Sequence, residues 1–354
     1  MKYLVITSKH HEGFCLWDSQ YTDYKAPNTP CGKDLLRGVA DAFREEGLRV
    51  GFYYSLIDWH HPDFTIDPLH SMRNHPDAHK LNESRNMDKY RDYMRNQVRE
   101  LITGYGPVDI MWFDFSYPQA ELNGLKGKGH TDWDSENLLE MVRELQPGII
   151  VDNRLDLPAE MADIHTPEQF QPRGWVQVDG KPVCWETCQT FSGSWGYHRD
   201  EATWKSPEQL IQMLVNTVST GGNLLMNVGP TGRGTFDQRA VSALGVYADW
   251  MGLHARSIYG CTQSEFQAPQ DCRFTQNGNR LYLHLFAWPF RHLHLDGLAG
   301  KVEYAQLLND ASEIGMREAD GAADAHRGGE GVLTLDLPVK KPDVVVPVVE
   351  LFLK

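Results

Sequence analysis

The chain has 354 residues, of which 41% are hydrophobic and 23% are charged, and its formal net charge is −14 at pH 7. This length exceeds a usual single domain unless that domain is a barrel, so we expect a barrel and one smaller domain. The negative charge would repel a nucleic-acid backbone, and no run approaches 18 apolar residues, so we expect no nucleic-acid partner and no membrane span. Met1 leads directly into an apolar run without a leader pattern, which predicts a cytoplasmic protein if that start is genuine.

Strand-like and helix-like segments alternate over the first 253 residues. The strand-like segments are short apolar runs rich in β-branched and aromatic residues, and each reads as a strand buried on both faces. In chain order they span 3–7, 49–55, 108–114, 148–153, 162–165, 183–187 and 223–228, of which 162–165 is the weakest. Helical patterns lie between them, at 33–46, 86–103, 133–145, 206–219 and 236–253. The alternation predicts a parallel sheet with helical crossovers, and we assign residues 1–258 to a barrel domain.

The last hundred residues follow another pattern. Helical periodicity disappears after about residue 260, and short strand-like runs follow at 280–288, 292–295, 302–308, 332–337 and 344–352. These runs predict a second, all-β domain of antiparallel strands at residues 259–354. With at most seven strands in the first part, a closed eight-stranded barrel would lack one, and the missing unit would precede Met1.

Histidines and cysteines are the first candidates for a metal site. His10 and His11 end the first strand, but adjacent residues of an extended chain face opposite ways, and no third ligand is visible. They therefore favour hydrogen bonding to sugar hydroxyls over a metal, and the alternative is that one of them only satisfies a buried carbonyl. The six cysteines form no CxxC pair, so we predict mostly free thiols.

Acidic residues stand at or near the carboxyl ends of three strands, where barrel enzymes carry their active sites. Asp114 ends an aromatic run and is the first choice for a nucleophile, although a helix N-cap or a salt-bridge partner is the alternative. Glu168, in the loop after the strand that ends with Arg154, is a candidate proton donor, and Glu186 is its rival. Arg154 can hold a carboxylate through its donor fork. Paired carboxylates together with aromatic residues and histidines favour glycoside hydrolysis.

Eight short motifs, in this order, resemble glycoside hydrolase family 29, the α-L-fucosidases. They are Lys-His-His-Glu-Gly-Phe at 9–14, Tyr-Tyr-Ser at 53–55, Trp-Phe-Asp at 112–114, Asp-Asn-Arg at 152–154, Thr-Pro-Glu at 166–168, Trp-Glu at 185–186, Ser-Trp-Gly-Tyr at 194–197 and Gly-Gly-Asn-Leu-Leu-Met-Asn-Val-Gly-Pro at 221–230. The resemblance implies a (β/α)8-like barrel followed by a C-terminal antiparallel β-sandwich. It also implies a retaining exo-glycosidase that releases α-L-fucose from fucosylated oligosaccharides or glycoconjugates, without a cofactor or a metal.

The resemblance also assigns roles to residues. Asp114 matches the family's nucleophile, and Glu168 best matches its acid/base, with Glu186 close by in sequence. His10, His11 and Arg154 would bind fucose hydroxyls, and Glu186 would be a further substrate-binding residue if it is not the acid/base. An aromatic wall would accept the C5 methyl group, which cannot form hydrogen bonds and prefers apolar contact, and its members would be Tyr54, Trp112 and Trp195.

The chain departs from the family at its amino end. Members usually begin with a segment that ends in a histidine and a tryptophan on the first barrel strand, and nothing before Met1 supplies it. We therefore expect a barrel without that strand, and the alternative function is a catalytically impaired fucose-binding protein. A related sugar such as L-galactose and a homo-oligomeric state both stay open at this level.

Overall fold

The structure, a computed structural model, describes residues 1–318, 329 and 331–354. The chain divides into two compact units, Met1–His165 and Thr166–Lys354. Within the described ranges, no helix combines the length and the apolar character needed to cross a membrane. All six cysteines lie in the described ranges and carry free thiols, as predicted.

The first unit contains a parallel sheet whose strand order is β1-β2-β3-β6. Its strands are β1 Tyr3–Lys9, β2 Arg49–Ser55, β3 Ile110–Asp114, the short hairpin β4 Glu121–Leu122 and β5 Leu125–Lys126, and β6 Ile150–Val151. Its helices are α1 Leu35–Glu45, α2 Ala78–Asn82, α3 Met87–Gly104, α4 His130–Trp133 and α5 Ser135–Leu145. Buried side chains from β2, β3, α3 and α5 form its core. The parallel register places Ser55 opposite Asp114, so β2 and β3 end side by side.

Polar side chains fix where the main helices of this unit begin. Asp34 accepts a hydrogen bond from the backbone of Arg37 at the start of α1. Asn86 accepts hydrogen bonds from the backbones of Asp88 and Lys89 at the start of α3. Each side chain satisfies backbone donors that a helix leaves free at its first turn, which explains why the predicted helix starts lie within two residues of those observed.

The second unit combines a two-stranded parallel sheet, two long helices and antiparallel sheets. Its parallel part contains β7 Gln177–Val178 and β8 Lys181–Pro182, which pair as a hairpin, then β9 Glu186–Thr190, α6 Pro207–Ser219, β10 Asn223–Asn227 and α7 Gln238–His254. The antiparallel strands are β11 Thr262–Gln263, β12 Cys272–Asn277, β13 Arg280–Leu285, β14 His292–Asp296, β15 Val302–Leu307, β16 Gly315–Glu318, β17 Val332–Asp336 and β18 Val348–Leu353. They form sheets of order β11-β12-β13-β18-β15 and β14-β17-β16.

These elements confirm the predicted change from an α/β part to an antiparallel all-β part. A core cluster joins α6 and α7 to the antiparallel strands, and its members include Val215, Trp250, Tyr282 and Val348. The helices therefore share a compact unit with the sheets. The division of domains between residues 258 and 259 stays a prediction.

Two predicted strands differ from the structure in ways that affect the site. The segment 162–165 contributes only an isolated bridge between Ile164 and Asp152. The strand predicted at 183–187 lies three residues later, because β9 begins at Glu186 and its five residues are all buried. Sequence reasoning also missed β12 and β16.

Candidate active site

Asp114 is the last residue of β3, and two donors hold its buried carboxylate. Arg154 Nη1 donates to Oδ1 at 3.0 Å, and the Tyr53 hydroxyl donates to Oδ2 at 2.6 Å. Hydrogen bonds and a positive charge at this range stabilise the ionised form of a carboxylate. The side chain is 9% exposed. The structure thus places a nearly buried, oriented carboxylate at the carboxyl end of a parallel strand.

The backbone turns sharply directly after this carboxylate. Phe115 has a φ of 77°, a left-handed conformation that a bulky side chain rarely adopts. Strain of this kind persists where the surrounding structure holds it, and it clusters at functional sites. The Phe115 ring packs edge-on against His11, with ring centroids 4.3 Å apart. The turn therefore brings the residue after Asp114 against the His10–His11 segment.

Arg154 lies in a short 3-10 turn, Asn153–Leu155, that follows β6. Its guanidinium lies 4.9 Å from the centroid of the Trp112 ring, a cation–π arrangement that fixes its direction. The neighbouring Asp152 is fully buried, and burial raises the pKa of its carboxyl well above the usual range, although Arg154 opposes this rise. Asp152 accepts a hydrogen bond from the backbone of Phe113, so it holds β3 from the residue that follows the adjacent strand β6.

Three aromatic rings form a stack beside Asp114. The Tyr53 ring lies between His10, at a centroid distance of 5.5 Å and 13° from parallel, and Trp112, at 5.7 Å and 23°. Tyr53 and Trp112 are register partners on β2 and β3, so their side chains share one face of the sheet with Asp114. The stack gives the site an apolar wall next to the carboxylate.

The structure replaces Tyr54 by Tyr53 as the tyrosine at this wall. Tyr54 is fully buried, and its hydroxyl donates to Gln97 Oε1 at 2.8 Å within the core. Adjacent strand residues face opposite sides of a sheet, so only one of the two tyrosines can reach Asp114. Sequence reasoning missed Tyr53 because a Tyr-Tyr pair looks the same on either face until the register with β3 is known.

His10 and His11 lie close together, contrary to the expectation that they face opposite ways. Strand β1 ends at Lys9, and the chain then turns, so the two imidazole centroids lie 3.8 Å apart. His10 is half-exposed with Nδ1 3.5 Å from Glu12 Oε2, whereas His11 is buried with Nδ1 2.7 Å from Ser55 Oγ. Burial, aided by electrostatic interactions with His10 and Lys9, lowers the pKa of His11 to about 3.

A buried ion pair supports this turn from below. Lys9 Nζ lies 3.1 Å from Asp58 Oδ2, and both side chains are almost completely buried. The other carboxylate oxygen accepts hydrogen bonds from the backbones of His60 and His61. Gly13 packs against the same carboxylate, since a Cβ there would lie 2.2 Å from Asp58 Oδ1. A larger residue at position 13 would therefore displace the Lys9–Asp58 pair.

The remaining predicted residues lie in the second unit. Glu168 is exposed, and its backbone pairs with Cys188 in the middle of β9. Glu186 is 3% exposed, and burial raises the pKa of its carboxyl to about 8. Because β9 begins at Glu186, this acid occupies the amino end of the strand, not the carboxyl end that the sequence suggested. Trp195 lies in the loop after β9, where its carbonyl accepts a hydrogen bond from Asn227.

Comparison with known proteins gives one family. The Alpha-L-fucosidase family model matches residues 1–256. The Alpha-L-fucosidase of Dictyostelium discoideum is 27% identical over 99% of this chain and 73% of its own length. The plasma alpha-L-fucosidase of Homo sapiens is 32% identical over 73% of this chain, and the match spans about half, 52%, of the human protein.

Solved structures agree along the whole chain. Alpha-L-fucosidase isoenzyme 1 from Paenibacillus thiaminolyticus has a TM-score of 0.91 and 42% identity, covering all of this chain and 83% of its own. A GH29 alpha-L-fucosidase from Bacteroides thetaiotaomicron has a TM-score of 0.82 and 27% identity, covering all of this chain and 79% of its own. That structure is a covalent intermediate trapped with 2-fluoro-fucosyl fluoride in a glutamate-to-glutamine mutant. These matches confirm the predicted fold class, a TIM-type barrel followed by a β-sandwich. The chain therefore belongs to the alpha-L-fucosidase family, the retaining glycoside hydrolases of family 29.

Proposed function

We propose that this chain releases α-L-fucose from fucosylated oligosaccharides or glycoconjugates by double displacement, with Asp114 as nucleophile and Glu168 as general acid/base. The observation that carries the proposal is the geometry of Asp114, a nearly buried carboxylate whose two oxygens are held by Arg154 and Tyr53. A retaining glycosidase needs one carboxylate that is ionised and aimed at the anomeric carbon. Both donors favour that state.

In the first displacement an Asp114 oxygen forms a bond to the anomeric carbon while the bond to the leaving oxygen breaks and Glu168 protonates it. In the second displacement Glu168 removes a proton from water, the water oxygen bonds to the anomeric carbon, and Asp114 leaves as a carboxylate. Arg154 and Tyr53 act in both steps, because they stabilise the negative charge before attack and again as the ester breaks.

Glu168 is a better candidate than Glu186 for the acid/base role because of its exposure. It is exposed, so a leaving group from solvent can reach it, whereas Glu186 is buried at the amino end of β9. The Bacteroides intermediate was trapped in a glutamate-to-glutamine mutant, which supports a glutamate in this role and fits Glu168 and Glu186 equally. Because Glu168 is exposed in the free protein, bound substrate would supply the less polar surroundings that a proton donor needs near neutral pH.

The proposed substrate contacts are of two kinds, polar contacts to the sugar hydroxyls and apolar contacts to the C5 methyl group. His10, His11 and Arg154 carry donors and acceptors for the sugar hydroxyls. The C5 methyl group would meet the aromatic wall, formed by Trp112 and by Tyr53 in place of Tyr54, with Trp195 as a further member. An added hydroxyl at C6 would meet the same apolar wall, so an α-L-galactoside should react more slowly by roughly ten- to hundredfold.

The experiment that tests this function is hydrolysis of 4-nitrophenyl α-L-fucoside, with the first-formed sugar followed by proton NMR before it mutarotates. We expect turnover and α-L-fucose as the initial product, because two inversions restore the configuration. Initial β-L-fucose would contradict double displacement. Soluble folded protein that binds fucose without turnover would show a fucose-binding protein instead.

Tyr53→Phe tests the donor that the structure adds to the site. We expect kcat to fall by about ten- to hundredfold, because a hydrogen bond to an ionised partner contributes more than a neutral one. Tyr54→Phe is the matched control on the neighbouring residue, where the lost bond to Gln97 should lower the free energy of unfolding by about 1–2 kcal/mol and leave kcat unchanged. A lower kcat in Tyr54→Phe but not in Tyr53→Phe would contradict the assignment of Tyr53 and favour Tyr54 as the tyrosine of the aromatic wall.

A further inference from the structure

The hydrogen bonding of Ser55 determines which nitrogen of His11 carries the proton. Ser55 is fully buried at the end of β2, and its Oγ lies 2.8 Å from the carbonyl oxygen of Ile57. A carbonyl oxygen can only accept, so the single hydroxyl hydrogen of Ser55 is donated there. Ser55 Oγ also lies 2.7 Å from His11 Nδ1. With its hydrogen already used, Oγ must accept at this second contact, and Nδ1 must be the protonated nitrogen.

The surroundings of His11 keep a second proton off the ring. Trp59 and Phe115 pack against it at centroid distances of 5.5 Å and 4.3 Å, so the imidazole is largely removed from water. This burial is the main cause that lowers the pKa of His11 to about 3, and electrostatic interactions with His10 and Lys9 lower it further. A neutral imidazole with its proton on Nδ1 carries a lone pair on Nε2. Among the described residues, the His11 ring has Ser55 as its hydrogen-bond partner, and that hydrogen bond is formed at Nδ1.

We propose that Ser55 is a positioning residue that locks His11 in the Nδ1–H tautomer, so that Nε2 serves as an acceptor for one donating hydroxyl of the sugar. The role of His11 in sugar binding rests on the proposed function, whereas the tautomer is a property of the free protein. An acceptor discriminates in a definite way: it binds an O–H group and rejects a fluorine or a methoxy group, which have no hydrogen to donate.

Through Ser55, the position of His11 is also tied to that of Asp114. Ser55 is the register partner of Asp114, and the next residue, Leu56, donates its backbone N–H to the Asp114 carbonyl at 3.0 Å. The positions of the His11 acceptor and of the Asp114 carboxylate thus both depend on the adjacent ends of β2 and β3. A sugar hydroxyl held at Nε2 would be placed relative to the nucleophile through the hydrogen bond between His11 and Ser55 at the end of β2.

The tautomer is measured in the free protein by nitrogen-15 NMR of histidine-labelled chain, with the His11 signals assigned by their loss in His11→Asn. We expect a protonated Nδ1 and a bare Nε2 that do not titrate between pH 5 and 8. Ser55→Ala should release the lock, so that proton occupancy at Nε2 rises. Ser135→Ala is the matched control, because Ser135 is also fully buried and donates to a backbone carbonyl, that of Leu155. It should lose comparable stability and leave the His11 signals unchanged.

The second arm uses fluorinated substrates, α-L-fucosides in which the hydroxyl at C3 or at C4 is replaced by fluorine, because fluorine at C2 would itself slow the displacements. At the position that faces His11, we expect kcat/KM of the wild type to fall by about tenfold to hundredfold, and this penalty to shrink in Ser55→Ala but not in Ser135→Ala. A protonated Nε2 in the wild-type spectrum, or an unchanged spectrum in Ser55→Ala, would overturn the proposal. An inactive chain with the expected spectrum would instead refute the proposed function and leave the tautomer established.

Discussion

Asp114→Ala is expected to lower kcat for 4-nitrophenyl α-L-fucoside by roughly a thousandfold or more, because it would remove the proposed nucleophile. Arg154 and Tyr53 would keep their positions through contacts other than Asp114, since Arg154 also lies over the Trp112 ring and Tyr53 stacks between two rings. The folded state should therefore survive the change. Steady-state kinetics together with thermal unfolding of the same preparation separate lost chemistry from lost structure.

Asp109→Ala is the matched control for this prediction. Asp109 precedes the same strand at its opposite end, where it accepts a hydrogen bond from the backbone of Val50 and pairs with Arg49. It should cost stability and leave kcat near the wild-type value. Equal losses of kcat in both variants would indicate that Asp114 acts through the fold of β3 and not as the nucleophile.

Azide distinguishes a nucleophile from an acid in the same assay. In Asp114→Ala, azide would enter the space of the lost carboxylate, attack the anomeric carbon as nitrophenolate leaves, and give the inverted β-L-fucosyl azide. Rescue that yields the α-L-fucosyl azide from this variant would contradict the assignment of Asp114.

Glu168→Ala is expected to depend strongly on the leaving group. For methyl α-L-fucoside, whose alkoxide needs a proton, kcat/KM should fall by about 10²- to 10⁴-fold, whereas the first step with the 4-nitrophenyl substrate should be affected far less. Azide would attack the accumulated intermediate from the face that the leaving group vacated, and the product would be the retained α-L-fucosyl azide. Product NMR and the rates for the two substrates measure this pattern.

Two further variants serve as controls for the Glu168 prediction. Glu265→Ala removes another exposed glutamate of the second unit and should change neither rate. Glu186→Gln neutralises the rival acid, and because burial already raises the pKa of that carboxyl to about 8, the amide should be tolerated with little change in activity. If Glu186→Ala instead showed the leaving-group dependence and the retained azide product, the acid/base role would move to Glu186.

Much of the fold follows from local sequence patterns. The strand 49–55 is observed as predicted, since four of its seven residues are β-branched or aromatic. Helices α3 and α6 begin within a residue of their predicted starts because Asn86 and Ser206 cap them. Asp114 and Arg154 were also accessible to sequence reasoning, because each ends or follows an apolar strand. The contact between them depends on β3 and β6 lying side by side, which strand alternation favours.

Other features depend on register or on turns and were not accessible in this way. Nothing in the Tyr-Tyr pair shows that Tyr53, and not Tyr54, shares a face with Asp114. The apolar residues before Glu186 resemble a strand that ends there, yet the hydrogen-bonded strand begins at Glu186. The approach of His10 to His11 follows from the end of β1 at Lys9, and strand ends are the least certain part of any sequence pattern.

The most direct test of the account is to trap the covalent intermediate. The chain would be inactivated with 2-fluoro-fucosyl fluoride and digested with trypsin, and the peptide spanning residues 100–126 would be fragmented by mass spectrometry. Because fluorine at C2 slows the second displacement, we predict that one 2-fluoro-fucosyl group is attached to Asp114. Attachment to another carboxylate, or normal turnover of fucosides without any adduct, would contradict the assignment of Asp114 as the nucleophile.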